Sequence, residues 1–549
     1  MKTKIIFLMV FVTNLALAQS LLWSKNEPGN PQSFSNCYHV TTDPSGNVIS
    51  SGYFSGSIDF DPGPGIANLV SNQNCAYVNK LDANGNFVWS VNLPQSSTTA
   101  ALSNANYALT TDQLGNVIIV GFFNGTCDFD PGPNVFSVTS YTSAIYSYNL
   151  FVWKLDAGGN FVWMKQVSLG TVINNCVCDV NGNIFLSGSF NGNCDFDWGV
   201  GTTTCTAIGT SDGFISKLDA SGNFQYVKQF GSAGNASNIT SLALDASSNL
   251  YAIGNYSGTI DVDPGSGVHT LTSFNSNYFN VKLNSVGNFV SVLSIDNVSG
   301  AKIRSILNDE LGNVYVAGTF TGSCDFDPSN ASYLLQTSST SSYYYKLDDQ
   351  GSLSWALSVD NSSNAPAQMM PQLLHDGGNT VLYGMFTGTI DLDPTGGTYT
   401  VSAPGNYYYP YFITLNSLGN FVSAFSPNIT GVMDVDAAGN IYISASAGGM
   451  GLYINKYGSI YTGIQAYQKN NLNMSLYPNP SKDVCYLNLG DNTGKITIEI
   501  YNSIGQKVYE DIVNSSVAEL TVDKQNTGIY VVLVKKDSTV LWQTKLIKE

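Results

Sequence analysis

The sequence predicts an all-β protein: a seven-bladed β-propeller of about four strands per blade, followed by a small Ig-like β-sandwich. Three observations predict it. A segment of about 66 residues recurs through most of the chain, the mark of an array of small sheets. Each copy is built of glycine-containing turns between short apolar runs, and no amphipathic helix of credible length competes. After Tyr467 the repeat stops and lysines become common, which marks a second domain.

Each repeat opens on a turn of the form Asp-x-x-Gly-Asn, seen at Asp43–Asn47, Asp112–Asn116, Asp179–Asn183, Asp309–Asn313 and Asp436–Asn440. Looser versions end at Asn249 and Asn379, so the turn occurs seven times. Glycine followed by asparagine between apolar runs is expected to supply the positive φ angles of a tight hairpin. The next strand, such as Val48 to Phe54, closes on Gly-x-Phe-x-Gly (Gly52, Phe54, Gly56; Gly188, Phe190, Gly192), where glycine suits a bulge or a close backbone approach.

An Asp-x-Asp element follows, with Pro-Gly after it in three copies and a relative of Pro-Gly in the others. The copies are Asp59 and Asp61, Asp128 and Asp130, Asp195 and Asp197, Asp261 and Asp263, Asp325 and Asp327, and Asp391 and Asp393. In Ile58-Asp59-Phe60-Asp61 the apolar and acidic residues alternate with the period of a strand, so both carboxylates share the face away from the core. Another hairpin comes next, as in Lys80-Leu81-Asp82-Ala83-Asn84-Gly85-Asn86. Three residues before that lysine position stands an aromatic: Tyr77, Phe151, Phe214, Phe279, Tyr343, Tyr411 and Tyr453. One ring per sheet at a fixed position is expected to pack between neighbouring sheets. The last strand carries motifs such as Phe87-Val88-Trp89-Ser90. Leu21-Leu22-Trp23-Ser24 copies it ahead of the first repeat, and is expected to supply the fourth strand of the last sheet. Ile460-Tyr461-Thr462 competes for the same place.

Composition narrows the setting. The chain has 549 residues, 43% of them hydrophobic and 11% charged, enough for a large β-rich core. A net charge of -17 argues against nucleic acid or an anionic membrane surface as partner, and Arg304 is the single arginine. A basic start, an apolar run from Ile5 to Leu17 and Ala16-Leu17-Ala18 describe a secretory signal over residues 1–18, cut between Ala18 and Gln19. No cysteine follows the cut to carry a lipid, and no later run of roughly 18 apolar residues offers a transmembrane segment. Of the nine cysteines, Cys127, Cys194 and Cys324 stand where sister repeats have Ile58, Ile260 and Ile390, so they read as small buried hydrophobes. Any pairing among the rest is open, and the odd total leaves at least one thiol free or intermolecular.

Two resemblances add to this. Asp212-Gly213-Phe214-Ile215-Ser216-Lys217-Leu218-Asp219-Ala220-Ser221-Gly222-Asn223, with Gly-x-Phe-x-Gly upstream, resembles the bacterial SBBP-type β-propeller repeat, over roughly residues 19–462. That family has no single activity. Beyond a linker at 463–472, residues 473–549 alternate apolar and polar residues in short strands. They hold Tyr477-Pro478-Asn479-Pro480, Ile500-Tyr501-Asn502-Ser503-Ile504-Gly505-Gln506 and Thr527-Gly528-Ile529-Tyr530, and close on Lys545-Leu546-Ile547-Lys548. This looks like the type A C-terminal sorting domain of the type IX (Por) secretion system. The resemblance implies a Bacteroidota protein carried over the outer membrane by the type IX translocon, with the tail cut by its sortase and the rest released or attached to the surface. Cys485 departs from the hydrophobe expected at its place.

Little in the chain reads as catalysis. His39, His269 and His375 fall at non-equivalent places, and there is no Gly-x-Ser-x-Gly elbow, His-Glu-x-x-His site, phosphate loop or paired Cys-x-x-Cys. The repeated aspartates admit two readings. Two carboxylates beside a turn with free carbonyls are suited to calcium, whereas an aspartate before Pro-Gly also initiates a turn by bonding its own backbone. The runs Tyr343-Tyr344-Tyr345 and Tyr407-Tyr408-Tyr409 offer rings for sugars. The expected function is an exported surface or secreted protein that binds a glycan or protein ligand through loops on a rigid scaffold. An extracellular polysaccharide-active enzyme and a structural surface component are the alternatives.

Overall fold

A computed structural model describes residues 21–548 except 30–32, 94–107, 142–148, 296–300, 330, 361–371, 376–378, 404–406, 428, 430, 437, 447–450, 459–474, 478–480, 490–494, 502–506, 522–527 and 537–538. The described residues form strands and turns with no helix. They fall into two compact units, Met1–Ile460 and Tyr461–Glu549.

The first unit holds seven four-stranded antiparallel sheets among the described residues. The first sheet shows the plan. Phe34–Thr42 pairs with Val48–Asp59, which pairs with Asn68–Leu81, which pairs with Phe87–Leu93. Its two middle strands run on past Gly56 into the Asp-x-Asp loop, through a register shift between Phe54 and Gly56. In three other repeats the same extension is a separate two-stranded ladder, such as Thr126–Asp128 with Ser137–Thr139.

The seventh sheet is assembled from both ends of the unit. Val432–Val435, Ile441–Ser446 and Gly451–Tyr457 follow one another, and Leu21–Pro28 adds itself antiparallel to Gly451–Tyr457. Ile460-Tyr461-Thr462 lies outside the described residues, as do Ala18, Gln19 and the 463–472 linker. The first strands of successive sheets lie side by side, from Phe34–Thr42 through Ala108–Thr111, Thr171–Cys178, Ser237–Leu244, Ala301–Asn308 and Gln372–His375 to Val432–Val435. The seventh of these also lies beside the first.

Turn chemistry explains the hairpins and corrects one expectation. In Asp43–Asn47 the Gly46 amide donates to the Asp43 carbonyl and the Asp43 amide to the Asn47 carbonyl. Only the glycine has positive φ, +77° at Gly46, so the turn is a type I turn closed by a glycine bulge. The asparagine acts through its side chain: Asn47 Nδ2 donates to Asp43 Oδ2 at 2.8 Å, while Asp43 Oδ1 accepts the Ser45 and Asn47 amides. The same set recurs at Asp112, Asp179, Asp309 and Asp436. In the looser copy, Ser248 takes the glycine position at φ +59°. Gly52 answers to close approach, since a Cβ there would stand 1.9 Å from the Asn36 carbonyl oxygen.

The recurring aromatic packs against the neighbouring sheet, as Phe214 does with Phe122 and Tyr411 with Tyr344, and also within its own repeat. Tyr77 lies 4.8 Å from Phe60, the ring between the two aspartates, and Phe54 completes the set. Phe151 with Phe129, Phe214 with Phe196, and Tyr343 with Phe326 repeat the contact. Tyr453 departs from this pattern and is exposed, because its strand carries no Asp-x-Asp element to cover it. Cys127, Cys194 and Cys324 are buried like the isoleucines they replace, and all nine cysteines are free thiols.

The second unit has two antiparallel sheets. Ser475–Tyr477, Val484–Asn488 and Val517–Thr521 form one. Lys507–Val513, Ile496–Tyr501, Gly528–Lys536 and Thr539–Lys548 form the other. Alternate residues of both meet in one core of Cys485, Leu487, Ile498, Ile500, Leu520 and Val532, among others. Cys485 is wholly buried there, and burial pushes its thiol up to about 11.

Candidate functional site

The aspartates of the Asp-x-Asp loops are turn-forming groups throughout. Asp59 Oδ1 accepts the amides of Asp61 at 3.1 Å and Ala67 at 2.8 Å, which ties both ends of the loop together. Asp128, Asp195, Asp261, Asp325 and Asp391 each accept the matching pair of amides. The second aspartate caps the following turn: Asp61, Asp130, Asp197, Asp263, Asp327 and Asp393 each accept the amide two residues on. Phe60, between the first pair, is fully buried. Each loop is therefore a self-bonded cover clamped onto its sheet by one ring. Among the described residues no three His, Cys, Asp or Glu side chains gather where a metal ion could be held.

At the other end of the sheets from these loops, lysines reach from one sheet to the next at several junctions. Lys80 Nζ lies 2.9 Å from Asp43 Oδ2 in its own sheet and donates to the Ala157 carbonyl of the next at 3.2 Å. Lys154 pairs with Asp112 and reaches Ala220 in the same way, and Lys217 reaches Ser285. The indoles run parallel to them, Trp89 to Ala157 and Trp163 to Ala220. Lys456 of the seventh sheet reaches Ala83 of the first, and Trp23 on the N-terminal strand donates to the same carbonyl. In the fourth, fifth and seventh sheets a tyrosine lies under the lysine: Tyr251, Tyr315 and Tyr442. Tyr315 and Tyr442 pass the contact on to Asp309 and Asp436.

The remaining expected groups are dispersed. His39 lies on the first strand of the first sheet, where burial holds its imidazole down at about 4, and so neutral. His269 sits in the fourth Asp-x-Asp loop against Phe289, and His375 ends a strand of the sixth sheet. Tyr343, Tyr344 and Tyr345 are all buried, so that run offers no ring to a sugar. They lie on a central strand covered on both faces, where alternation exposes neither side. Tyr407 is 77% exposed and Tyr408 37%, so the second run keeps two rings at the surface. Sequence reasoning passed over Glu27, which is wholly buried on the N-terminal strand, although its sister strands carry apolar residues there.

In the second unit Tyr477 ends a strand and is half exposed, Gly528 opens a strand, and Tyr530 is buried in the core. Pro478, Asn479, Pro480 and Gly505 lie outside the described residues. Residues 475–549 match the secretion system C-terminal sorting domain. That match marks a protein exported by the type IX system to the cell surface or the medium, in contact with that machinery through its tail. No helix among the described residues is long and apolar enough to cross a membrane. No curated protein matches the chain.

Among solved structures the chain is similar to a protein of unknown function from Bacteroides caccae, at 10% identity over 72% of this chain and 89% of that one, TM-score 0.26. It is similar to the β-propeller domain of the Trilobed protease from Pyrococcus furiosus, described as having an open velcro topology, at 6% identity over 78% and 99%, TM-score 0.36. PorZ, a surface component of the type-IX secretion system of Porphyromonas gingivalis, matches at 10% identity over 95% and 100%, TM-score 0.16. At such scores the likenesses carry no argument, and the fold rests on the strand pairing above.

Proposed function

We propose that residues 19–462 form a closed seven-bladed β-propeller that binds a glycan or protein ligand outside the cell, and that 473–549 form an Ig-like sorting sandwich removed after export. The observation that carries the ring is the meeting of the seventh sheet with the first, where Val432–Val435 lies beside Phe34–Thr42 and Lys456 reaches Ala83. A sheet-to-sheet contact that returns to its start supports radial closure over an open array. Three features support binding over catalysis: self-bonded loops, dispersed histidines, and surface rings at Tyr407 and Tyr408. The loops belong to a rigid scaffold, the arrangement in which variable contacts are made.

The test is a glycan array together with turnover assays on the same polysaccharides, using the mature full-length chain. Saturable binding without release of reducing ends is the expected result. Turnover would instead establish the polysaccharide-active enzyme, and neither binding nor turnover with any glycan or surface protein would leave a structural component.

A further inference from the structure

The junction between the seventh and first sheets is polar where every other strand of its kind is apolar. Glu27 occupies the position held in sister strands by Leu93, Val167, Phe230, Ile295 and Val359, all buried. Across the junction Ser50 stands where other sheets have Ile119, Leu186, Ala252, Val316 and Leu382. Two independent repeats of the pattern are thus broken at one place, and both breaks introduce oxygen.

Register shows that these groups face one another. Glu27 is opposite Leu452, and Leu452 packs on the first sheet's face beside Cys37, Phe54 and Tyr77. On that face Ser50 is opposite Asn79, and Gly52 is opposite Tyr77, with no side chain of its own. Asn79 Nδ2 donates to Glu27 Oε1 at 2.5 Å, which joins the two faces. Six buried oxygens lie in these strands, Glu27 Oε2, Ser35 Oγ, Ser50 Oγ, Tyr77 Oη, Asn79 Oδ1 and Ser444 Oγ, and none of them makes a hydrogen bond of full geometry. Tyr77 lies within hydrogen-bonding reach of Ser50 and Cys37, and Cys37 of Ser444, so these groups are near neighbours. Glu27 feels Asp59 and no cation, and one amide hydrogen bond does not offset the burial of a carboxylate.

We propose that this junction binds one small hard cation, sodium or calcium in kind, through the Glu27 carboxylate, the Asn79 amide oxygen and the serine and tyrosine hydroxyls. Oxygen donors in this number, one of them anionic, are the ligand set of such ions. The bound ion staples the N-terminal strand, the first sheet and the last sheet at one point, so ring closure answers to the ionic medium the exported chain meets. The site rests on the closed-ring reading for that role.

The experiment is thermal unfolding of the mature full-length chain in choline, sodium, potassium and calcium chlorides at one ionic strength, with a chelator control for the calcium arm. Sodium or calcium is expected to raise the midpoint by several degrees over choline, saturably, and Glu27→Gln and the sister-residue variant Glu27→Leu are expected to lose that increment. Equal midpoints in every salt overturn the site, as does an increment that survives in Glu27→Gln. Should the variants fail to fold, ²³Na line broadening and calcium dialysis on the unaltered chain decide it, one ion per chain supporting the site and none overturning it. Hydrogen exchange at the Gly451–Tyr457 amides separates the two readings. Protection with no ion effect sinks the cation site alone, whereas rapid exchange there sinks the closed ring.

Discussion

Lys456 Nζ donates to the carbonyl of Ala83 at 3.3 Å, although 373 residues separate them. The contact has the same form as Lys80 with Ala157 and Lys154 with Ala220, so the last sheet meets the first as the first meets the second and the second the third. Trp23 shares the Ala83 carbonyl, which makes the N-terminal strand part of the same contact. Deleting residues 19–28 should therefore cost far more than the loss of one edge strand: it exposes Gly451–Tyr457 and removes the indole anchor. The expected outcome is a lower melting temperature and rapid proteolysis near Tyr457. A truncated chain as stable and as resistant as the parent would show that the strand is an ornament.

Asp43 and Lys80 are each about 3% exposed, so their ion pair is buried. Replacing Lys80 by Met leaves a buried carboxylate unpaired, at a cost of about 3–5 kcal/mol in urea unfolding. Burial pushes the Asp43 carboxyl up, but hydrogen bonds from Lys80 and Asn47 outweigh it and leave the group below its ordinary value. Asp112 is likewise held down by Asn116 and Lys154 against its burial. A depressed carboxyl contributes its full stability above the unfolded-chain value near about 4 and loses it as pH falls through the lower folded value. Stability measured from neutral pH downward should fall steeply only in that acid window. The double variant Asp43→Asn, Asp112→Asn should show a shallower fall, and an unchanged slope would remove these two groups from the account.

How much of this was readable beforehand depends on what each residue's role requires. The hairpins were legible because Asp-x-x-Gly-Asn spells out its own hydrogen bonds, though the positive φ belongs to Gly46 and its sisters alone and the asparagine works through its amide. The N-terminal strand was legible because Trp23 copies Trp89. The burial of Tyr343, Tyr344 and Tyr345 was not, since a run of tyrosines carries no period to say that both faces of the strand are covered. Nor was the turn role of the aspartates separable from ligation, because both use the same carboxylate oxygens, and the turn role shows only in the amides aimed at Asp59 and Asp61.

That distinction yields a direct comparison. An asparagine at position 61 keeps the oxygen that accepts the Gly63 amide, whereas alanine removes it. Asp61→Asn should unfold within a few tenths of a kcal/mol of the parent, and Asp61→Ala should lose about 1 kcal/mol. Both differences should be the same with calcium or with chelator. If Asp61→Asn were the damaging change, and only in calcium, the loop would be a metal site.

Burial also sets thiol reactivity. Cys37 and Cys75 are pushed up to about 11 and Cys127 to about 12, in each case by burial first. Thiolate is the reacting form, so an aromatic disulfide reagent at mildly alkaline pH should label the folded chain slowly and incompletely. In denaturant all nine should react. Fewer than nine under denaturing, non-reducing conditions would reveal a disulfide formed on export.

The tail lends itself to a test that separates delivery from folding. Ile498 is wholly buried in the core shared by its two sheets, and that unit has its own core, distinct from those of the first. An aspartate there places an unpaired carboxylate in an apolar interior, which costs several kcal/mol, about the whole stability of a domain this small. Ile498→Asp should therefore unfold residues 475–549 while leaving the main unfolding transition of the first unit within about a degree of the parent. In cells the variant should accumulate inside the outer membrane rather than at the surface or in the medium, the outcome expected of a tail read in its folded form. A control at the exposed Glu519 side chain on a strand of the other sheet, Glu519→Gln, should be delivered normally. Surface delivery of Ile498→Asp at the parental level would show that recognition rests on a linear segment of the tail instead.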